Sequence, residues 1–447
     1  MAENKKKKSS SITHARYGCA IGAVNTVNAI RRAIPIANCG PGCADKQFIT
    51  LSFSNGFQGA DYAGGGAVPS VNTGENEIVF GGSKKLESTL KSAFKIMDGD
   101  LFVVLTGCAP SLIGDDVGAI VRKYKKEGYP VVFADAAGFR GNNLIGHESV
   151  VKAIIEQYVG DVKTEKTKGL VNLWADIPYF DTNWKGNYSE LKRILEGAGL
   201  KVNVLFGTDS EGVKSWKKIP KAQFNLVVSP WVGLSTAELL EEKYGQPYLH
   251  IPVVPVGEKE TTAFIRKVVE FAGIDNKKAE KFIAKETADY YYYYEHISEF
   301  ISEYWFGLPA RFLIAADAQT TLGISKFLTD QIGLIPAKVI ISDNTPQKYR
   351  EAIAEEFRNI SNDTSIDVDF IEDGYTIEKE FDEADYGFGK PLFLATSWDL
   401  DVVRKHNGLF VPVGTPNNFE VVLNRTYYGY RGALTLLEKI YSEVVRG

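Results

Sequence analysis

The stretch Leu101–Gly138, LFVVLTGCAPSLIGDDVGAIVRKYKKEGYPVVFADAAG, decides the fold. It opens on a continuous apolar run, turns at a Gly-Cys pair, carries apolar positions at helical spacing as far as Gly128, and closes on a second apolar run. Short apolar runs bounded by turn residues read as strands buried on both faces, and the intervening 3.6-residue period reads as the helix that crosses between them. Strand, helix and parallel strand make an α/β unit.

The same grammar extends in both directions. Upstream, ARYGCAIGAVNTVNAI leads into a helix, RAIPIANCG reads as a strand ending in a glycine-rich turn, and SKKLESTLKSAFKIM is helical by its spacing. Downstream, a second unit begins near Thr167 with KGLVNLWAD and runs to PYLHIPVV, and a third begins at RFLIAADAQ and closes with GALTLLEKIYSEVV. Between them, Thr262 to about Phe306 is amphipathic and helical and holds the run Tyr290–Tyr294. The expected architecture is α/β, with three Rossmann-like parallel-sheet domains and a helical connector. The expected bounds are a disordered tail at 1–16, domains at 17–165, 166–275 and 307–447, and the connector at 276–306.

Composition narrows the function. With 447 residues and 44% hydrophobic content, the chain has ample material for cores, and no apolar run approaches the ~20 residues of a bilayer span. The lysine run of MAENKKKKSSS has no apolar segment behind it and reads as a solvated tail, so the expected location is the cytoplasm. A net charge of −5 argues against a nucleic-acid platform. The glycines Gly64–Gly66 form a loop without a GxxxxGK[ST] pattern, so any nucleotide hydrolysis belongs to another protein.

The four cysteines, Cys19, Cys39, Cys43 and Cys108, all fall in the first quarter of the chain. They are too few for a disulfide scaffold, and their clustering points to metal or redox chemistry, with inert buried thiols as the alternative. The spacings match neither zinc-ribbon nor bacterial ferredoxin patterns, and CGPGC is a CxxxC. YGCAIGA, CGPGCA and GCAP share small neighbours that let backbone approach a bulky inorganic cluster. In a parallel sheet, ligands sit at the carboxyl ends of strands, where Cys43, Cys108 and the GFRGNN turn all fall. Asp115 and Asp116 read as helix caps, and His147 and Glu148 read as structural hydrogen-bonding groups with proton transfer as the alternative. His14, His250, His296 and His406 lack metal spacing, and the tyrosine run reads as packing rather than an electron path.

In content and order, YGCAIGA, CGPGC, ENEIVFGGSKKL, TGCAPSLIGDD and GFRGNN resemble the N-terminal domain of the nitrogenase component 1 proteins. GNYSELKRILEGAGLKVNVLF, NLVVSPW, VPVGTP and YYGYRGALTLLEKI extend the resemblance over nearly the whole chain. The family comprises catalytic α and β subunits, scaffolds that build their cofactor, and tetrapyrrole reductases. The resemblance implies that Cys19, Cys43 and Cys108 hold one half of an iron–sulfur cluster shared with a partner subunit, either the 8Fe-7S P-cluster type or a 4Fe-4S cluster. Cys39 departs from the pattern and is either an accessory ligand or a buried thiol. Asn142 falls near a position where β subunits can carry a cluster-ligating serine. Ser229 stands where the catalytic α subunit has its cofactor cysteine, and Phe419 where it has its cofactor histidine.

The implied protein is a β-like electron-relay subunit of a nitrogenase-like oxidoreductase, with no catalytic residues of its own. An α-like subunit, in an α2β2 heterotetramer, and an ATP-hydrolysing iron protein are the implied partners, and the setting is anaerobic. The chain is shorter than ordinary β subunits and lacks their histidine-rich C-terminal stretch, which makes a methylthio-alkane the expected substrate. The alternatives are a non-catalytic scaffold for cofactor assembly, a divergent nitrogenase and a tetrapyrrole reductase.

Overall fold

A computed structural model of the chain describes residues 12–59, 68–304 and 307–446. The glycine loop at 64–66, the tail as far as residue 11 and the last residues of the connector lie outside these.

Among the described residues, twelve strands form three wholly parallel sheets. The first has β1 (Ala33–Asn38), β2 (Leu101–Thr106) and β3 (Val131–Asp135) in the order β1-β2-β3. The second has β4 (Thr167–Trp174), β5 (Lys201–Asn203), β6 (Ala222–Val228) and β7 (Tyr248–Ile251) in the order β5-β4-β6-β7. The third has β8 (Arg311–Ala316), β9 (Ile335–Ile341), β10 (Asp369–Phe370), β11 (Leu392–Ala395) and β12 (Leu409–Pro412) in the order β10-β9-β8-β11-β12. Parallel strands need crossovers, and helices supply them, so both faces of each sheet are covered. Every residue of β1 and β2 is buried, which explains why they read as unbroken apolar runs rather than as alternation. Strand order reverses between β4 and β6 and again between β8 and β11, opening a crevice at the carboxyl ends in each case.

The helix Lys277–Tyr304 is the expected connector. Its buried Glu286 accepts from Arg193 at 2.8 and 2.6 Å and lies 3.5 Å from Arg431, which ties the connector to the second domain and to the C-terminal helix Gly429–Arg446. Within the tyrosine run, Tyr290 is buried and stacks on Tyr294, while Tyr291, Tyr292 and Tyr293 are exposed. Residues 13–16, expected in the tail, are fastened to the third domain. Thr13 N–H donates to Asp373 at 2.7 Å, and Arg16 makes a buried ion pair with Asp399 at 2.5 Å.

The first domain closes on one tight contact. The helix Asn143–Ile154 crosses the turn Ala20–Ala23 so closely that a Cβ on Gly146 would lie 2.1 Å from the Ala20 carbonyl oxygen. Alanine normally stabilises a helix interior by about 1 kcal/mol relative to glycine. Here a backbone atom is in the way, and overpacking of about 1–3 kcal/mol or more outweighs that gain. Gly146→Ala is therefore expected to lower the free energy of unfolding in denaturant titration; an equal or more stable variant would refute the contact.

Candidate functional site

The cysteines sit where the first sheet ends. Cys39 follows β1 directly, and Cys43 lies in the first turn of the helix Pro41–Phe53. Cys108 begins the helix Cys108–Ile113 just beyond β2. Cys19 precedes the turn Ala20–Ala23 and forms an antiparallel bridge with Asn142. The loop after β3 supplies Gly138, whose N–H donates to Cys108 Sγ at 3.1 Å. A Cβ on Gly138 would stand 2.5 Å from Cys19 Sγ and 3.5 Å from Cys108 Sγ, so both sulfurs border the same point and only glycine fits there.

Cys19, Cys43 and Cys108 are partly exposed, whereas Cys39 is buried. Burial foremost, and then the neighbouring Cys43, push the Cys39 thiol up to about 12, so it stays protonated at neutral pH. Its Cβ would lie 2.7 Å from a Cβ on Gly107, which packs it beneath the loop that carries Cys108. Among the described residues, no three His, Cys, Asp or Glu side chains converge tightly enough for a single metal ion. Soft anionic thiolates suit iron–sulfur clusters, which spread their ligands over several irons, and an amide N–H aimed at a ligating sulfur is the usual outer-sphere partner. The donor set fits such a cluster.

Ser229 and Phe419 offer neither a thiolate nor an imidazole. Ser229, at the end of β6, is fully buried, and its hydroxyl accepts from the N–H groups of Trp231 (3.3 Å) and Val232 (3.0 Å). Phe419 lies exposed on the loop after β12. Asn142 caps the helix Asn143–Ile154 by accepting from Leu144 and Ile145 N–H.

A profile of the nitrogenase component 1 type oxidoreductases matches residues 19–445. The chain belongs to this family. It is 29% identical over 283 residues to the nitrogenase molybdenum-iron protein alpha chain of Methanosarcina barkeri, an alignment covering 61% of this chain and 51% of that one. It is 24% identical over 390 residues to a light-independent protochlorophyllide reductase chain of Angiopteris evecta, covering 82% of this chain and 71% of that one. The chain thus spans about half the length of the first of these relatives. A solved structure titled "Nitrogenase Cp1 at pH 6.5" superposes with a TM-score of 0.78 over 99% of this chain and 94% of that one at 19% identity, which shows a nitrogenase-like fold. No helix among the described residues is long and apolar enough to cross a membrane.

Other residues of this component 1 chain are structural. Asp116 caps the helix Val117–Lys126, and Asp115 accepts from Gly82 N–H at 3.1 and 3.0 Å. His147 meets Thr26 Oγ1 at 2.9 Å through Nδ1, and burial lowers its pKa to about 3, so it is neutral. Glu148 accepts from Gly233 N–H and from the Ser235 hydroxyl.

One group escaped the sequence reading. Asp176, Asp181 and Asp343 are buried, with half-buried Asp317 beside them, where the second and third domains meet. Gln319 Nε2 donates to Asp176 (2.5 Å) and Asp181 (3.1 Å), Tyr428 donates to Asp176 (2.7 Å), and Trp231 donates to Asp343 (3.3 Å). No arginine or lysine pairs with these four among the described residues. Desolvation is the main cause that raises all four, Asp176 to about 7 and Asp317 to about 6, and for Asp181 mutual repulsion adds to it.

The sign of the pH effect follows. The unfolded chain releases these protons near pH 4 and the folded chain only at higher pH, so stability declines as pH rises through that interval. Asp176→Asn retains the acceptor oxygen and cannot ionise. Thermal melts from pH 4.5 to 7.5 are expected to move in the variant's favour as pH rises; a parallel shift at every pH would mean that Asp176 is not protonated in the fold.

Proposed function

We propose that this chain is the β-like, electron-relaying subunit of a nitrogenase-like reductase, with Cys19, Cys43 and Cys108 holding its half of an iron–sulfur cluster shared with an α-like partner. The observation that carries this reading is a contrast. Two sulfurs meet at Gly138 with an amide aimed at one of them, whereas Ser229 is committed to its own turn and Phe419 faces solvent. When bound, such a cluster stores and releases electrons.

The chain's own residues provide the setting. Gly138 N–H offsets negative charge at the Cys108 sulfur, and the protonated Cys39 thiol adds none. On the elements that carry the sulfurs, Leu112 of the Cys108 helix, Phe139 beside Gly138, and Ile49 and Phe53 of the Cys43 helix are all exposed, as are Val79 and Phe80 of the helix Glu75–Phe80, which contacts the Cys108 helix. A soluble monomer rarely leaves so many large apolar side chains together, and a second subunit would cover them while contributing the remaining ligands. An ATP-hydrolysing iron protein is the proposed electron donor. The substrate that the sequence resemblance favours is a methylthio-alkane, reduced on the partner.

The test is anaerobic purification with whatever partner co-purifies, followed by iron analysis and EPR. Cys108→Ala is expected to lose most of its iron and its cluster signal, while Cys39→Ala keeps both. A Cys108→Ala protein with unchanged iron and EPR would sink the cluster assignment. A protein that holds the cluster yet shows no turnover with its iron protein would point instead to an assembly scaffold.

A further inference from the structure

The connector helix Lys277–Tyr304 is covered on one side only. Ala279, Ile283, Glu286 and Tyr290 are buried against the chain, and the ion pairs of Glu280 with Arg266 and of Glu286 with Arg193 lie on or beside that side. The opposite side carries Lys281, Lys285, Ala288, Tyr292, Glu295 and Glu299, all exposed. Their spacing alternates four and three, so the six side chains follow one line along about 27 Å of helix, the arrangement by which two helices lie side by side. Tyr292, near the middle of this line, is 60% exposed.

The signs along this line do not serve the helix taken alone. Like charges four residues apart destabilise a helix, yet Lys281 and Lys285 stand four apart toward the amino end, and Glu295 and Glu299 four apart toward the carboxyl end. Among the described residues, Lys281, Lys285 and Glu295 make no ion pair within the chain. The line is, however, complementary to its own reverse. Turned end for end about a two-fold axis at the level of Tyr290, it sets Lys285 opposite Glu295, Lys281 opposite Glu299, and the small Ala288 opposite the ring of Tyr292. A two-fold contact is isologous, so each pairing occurs twice. A parallel pairing would set lysine against lysine and glutamate against glutamate, and a partner of unrelated sequence would require no such symmetry.

We propose that this face of the connector helix pairs antiparallel with the same face of a second copy of the chain. Tyrosine supplies the contact area at the centre, and the charges at either end fix direction and register. This goes beyond the electron-relay reading and stands whether or not the cysteines hold a cluster, since they belong to the first domain and the helix follows the second. The test is sedimentation velocity at low salt on the anaerobically purified full-length protein with whatever partner co-purifies, counting copies of this chain per particle over a range of concentrations. Two copies are expected. Lys285→Glu and Glu295→Lys each bring like charges together at two places and are expected to raise the dissociation constant between copies at least about tenfold. The double variant restores opposite charges at both places and is expected to return to within about threefold of the parent. Within one helix the two positions are about 15 Å apart, too far to pair, so the recovery reports on the contact between copies. One copy per particle at every concentration, single variants that associate like the parent, or a double variant no better than the singles would each overturn the proposal. Iron plays no part in this readout, which keeps its outcome separate from that of the cluster test.

Discussion

The approach of the helix Asn143–Ile154 to the backbone of Ala20 is the constraint on which the cysteine edge depends. Because Gly146 has no side chain, the helix can lie against the turn that follows Cys19, and several further bonds then fall into register. Gly18 N–H reaches Asn143 Oδ1 at 2.8 Å, Asn143 N–H returns to the Gly18 carbonyl at 3.0 Å, and His147 meets Thr26. On the other side of Cys19, Tyr17 OH donates to Glu372 at 2.6 Å and Arg16 binds Asp399, both in the third domain. The short strap bearing Cys19 is thus clamped between two domains. A sulfur held at both ends of its segment has little freedom to move when its charge changes, which would suit the proposed role as a ligand in electron transfer.

The junction of the second and third domains works by different physics. There the carboxyl ends of β4, β8 and β9 turn toward one another, and each strand is followed by an aspartate. In water, four such groups would be ionised at neutral pH. With burial and no paired cation among the described residues, holding the proton becomes easier for all four, and Asp176 and Asp181 take the hydrogen bonds of Gln319 and Tyr428. In the proposed role, the end of β6 carries no soft ligand. Ser229 instead satisfies two amides of its own turn, and a sulfur would be a poorer acceptor in the same place.

Much of this was legible in the sequence alone. The strands lie under the apolar runs because parallel sheets bury both faces and leave an unbroken signal, although β5 and β10 shrink to three and two residues at the sheet edges. The cysteine edge was legible because glycines cluster wherever backbone must come close. The acid group was not, because the pair Asp176 and Asp181 lies far in sequence from Asp317 and Asp343, and each looks like an ordinary turn or cap residue. A signal was nonetheless present: WAD, AAD and ISD each end an apolar strand, at Asp176, Asp317 and Asp343. Within the tyrosine run, helical geometry turns Tyr290 inward and its next three neighbours outward.

These features together set the limits of what one copy of the chain can do in the proposed role. The buried histidine and the buried carboxyls do not carry electrons, whereas the sulfurs at the chain's edge are redox-competent side chains. They are partly exposed, and the apolar residues around them are exposed among the described residues. An electron carrier left open to water would reorganise solvent with every charge change and would be exposed to oxidants. Closing that edge requires a surface of matching apolar character on a second subunit, which would at once dry the sulfurs and supply the ligands they lack. On this reading, the exposed rim and the incomplete ligand set are a single property of the fold.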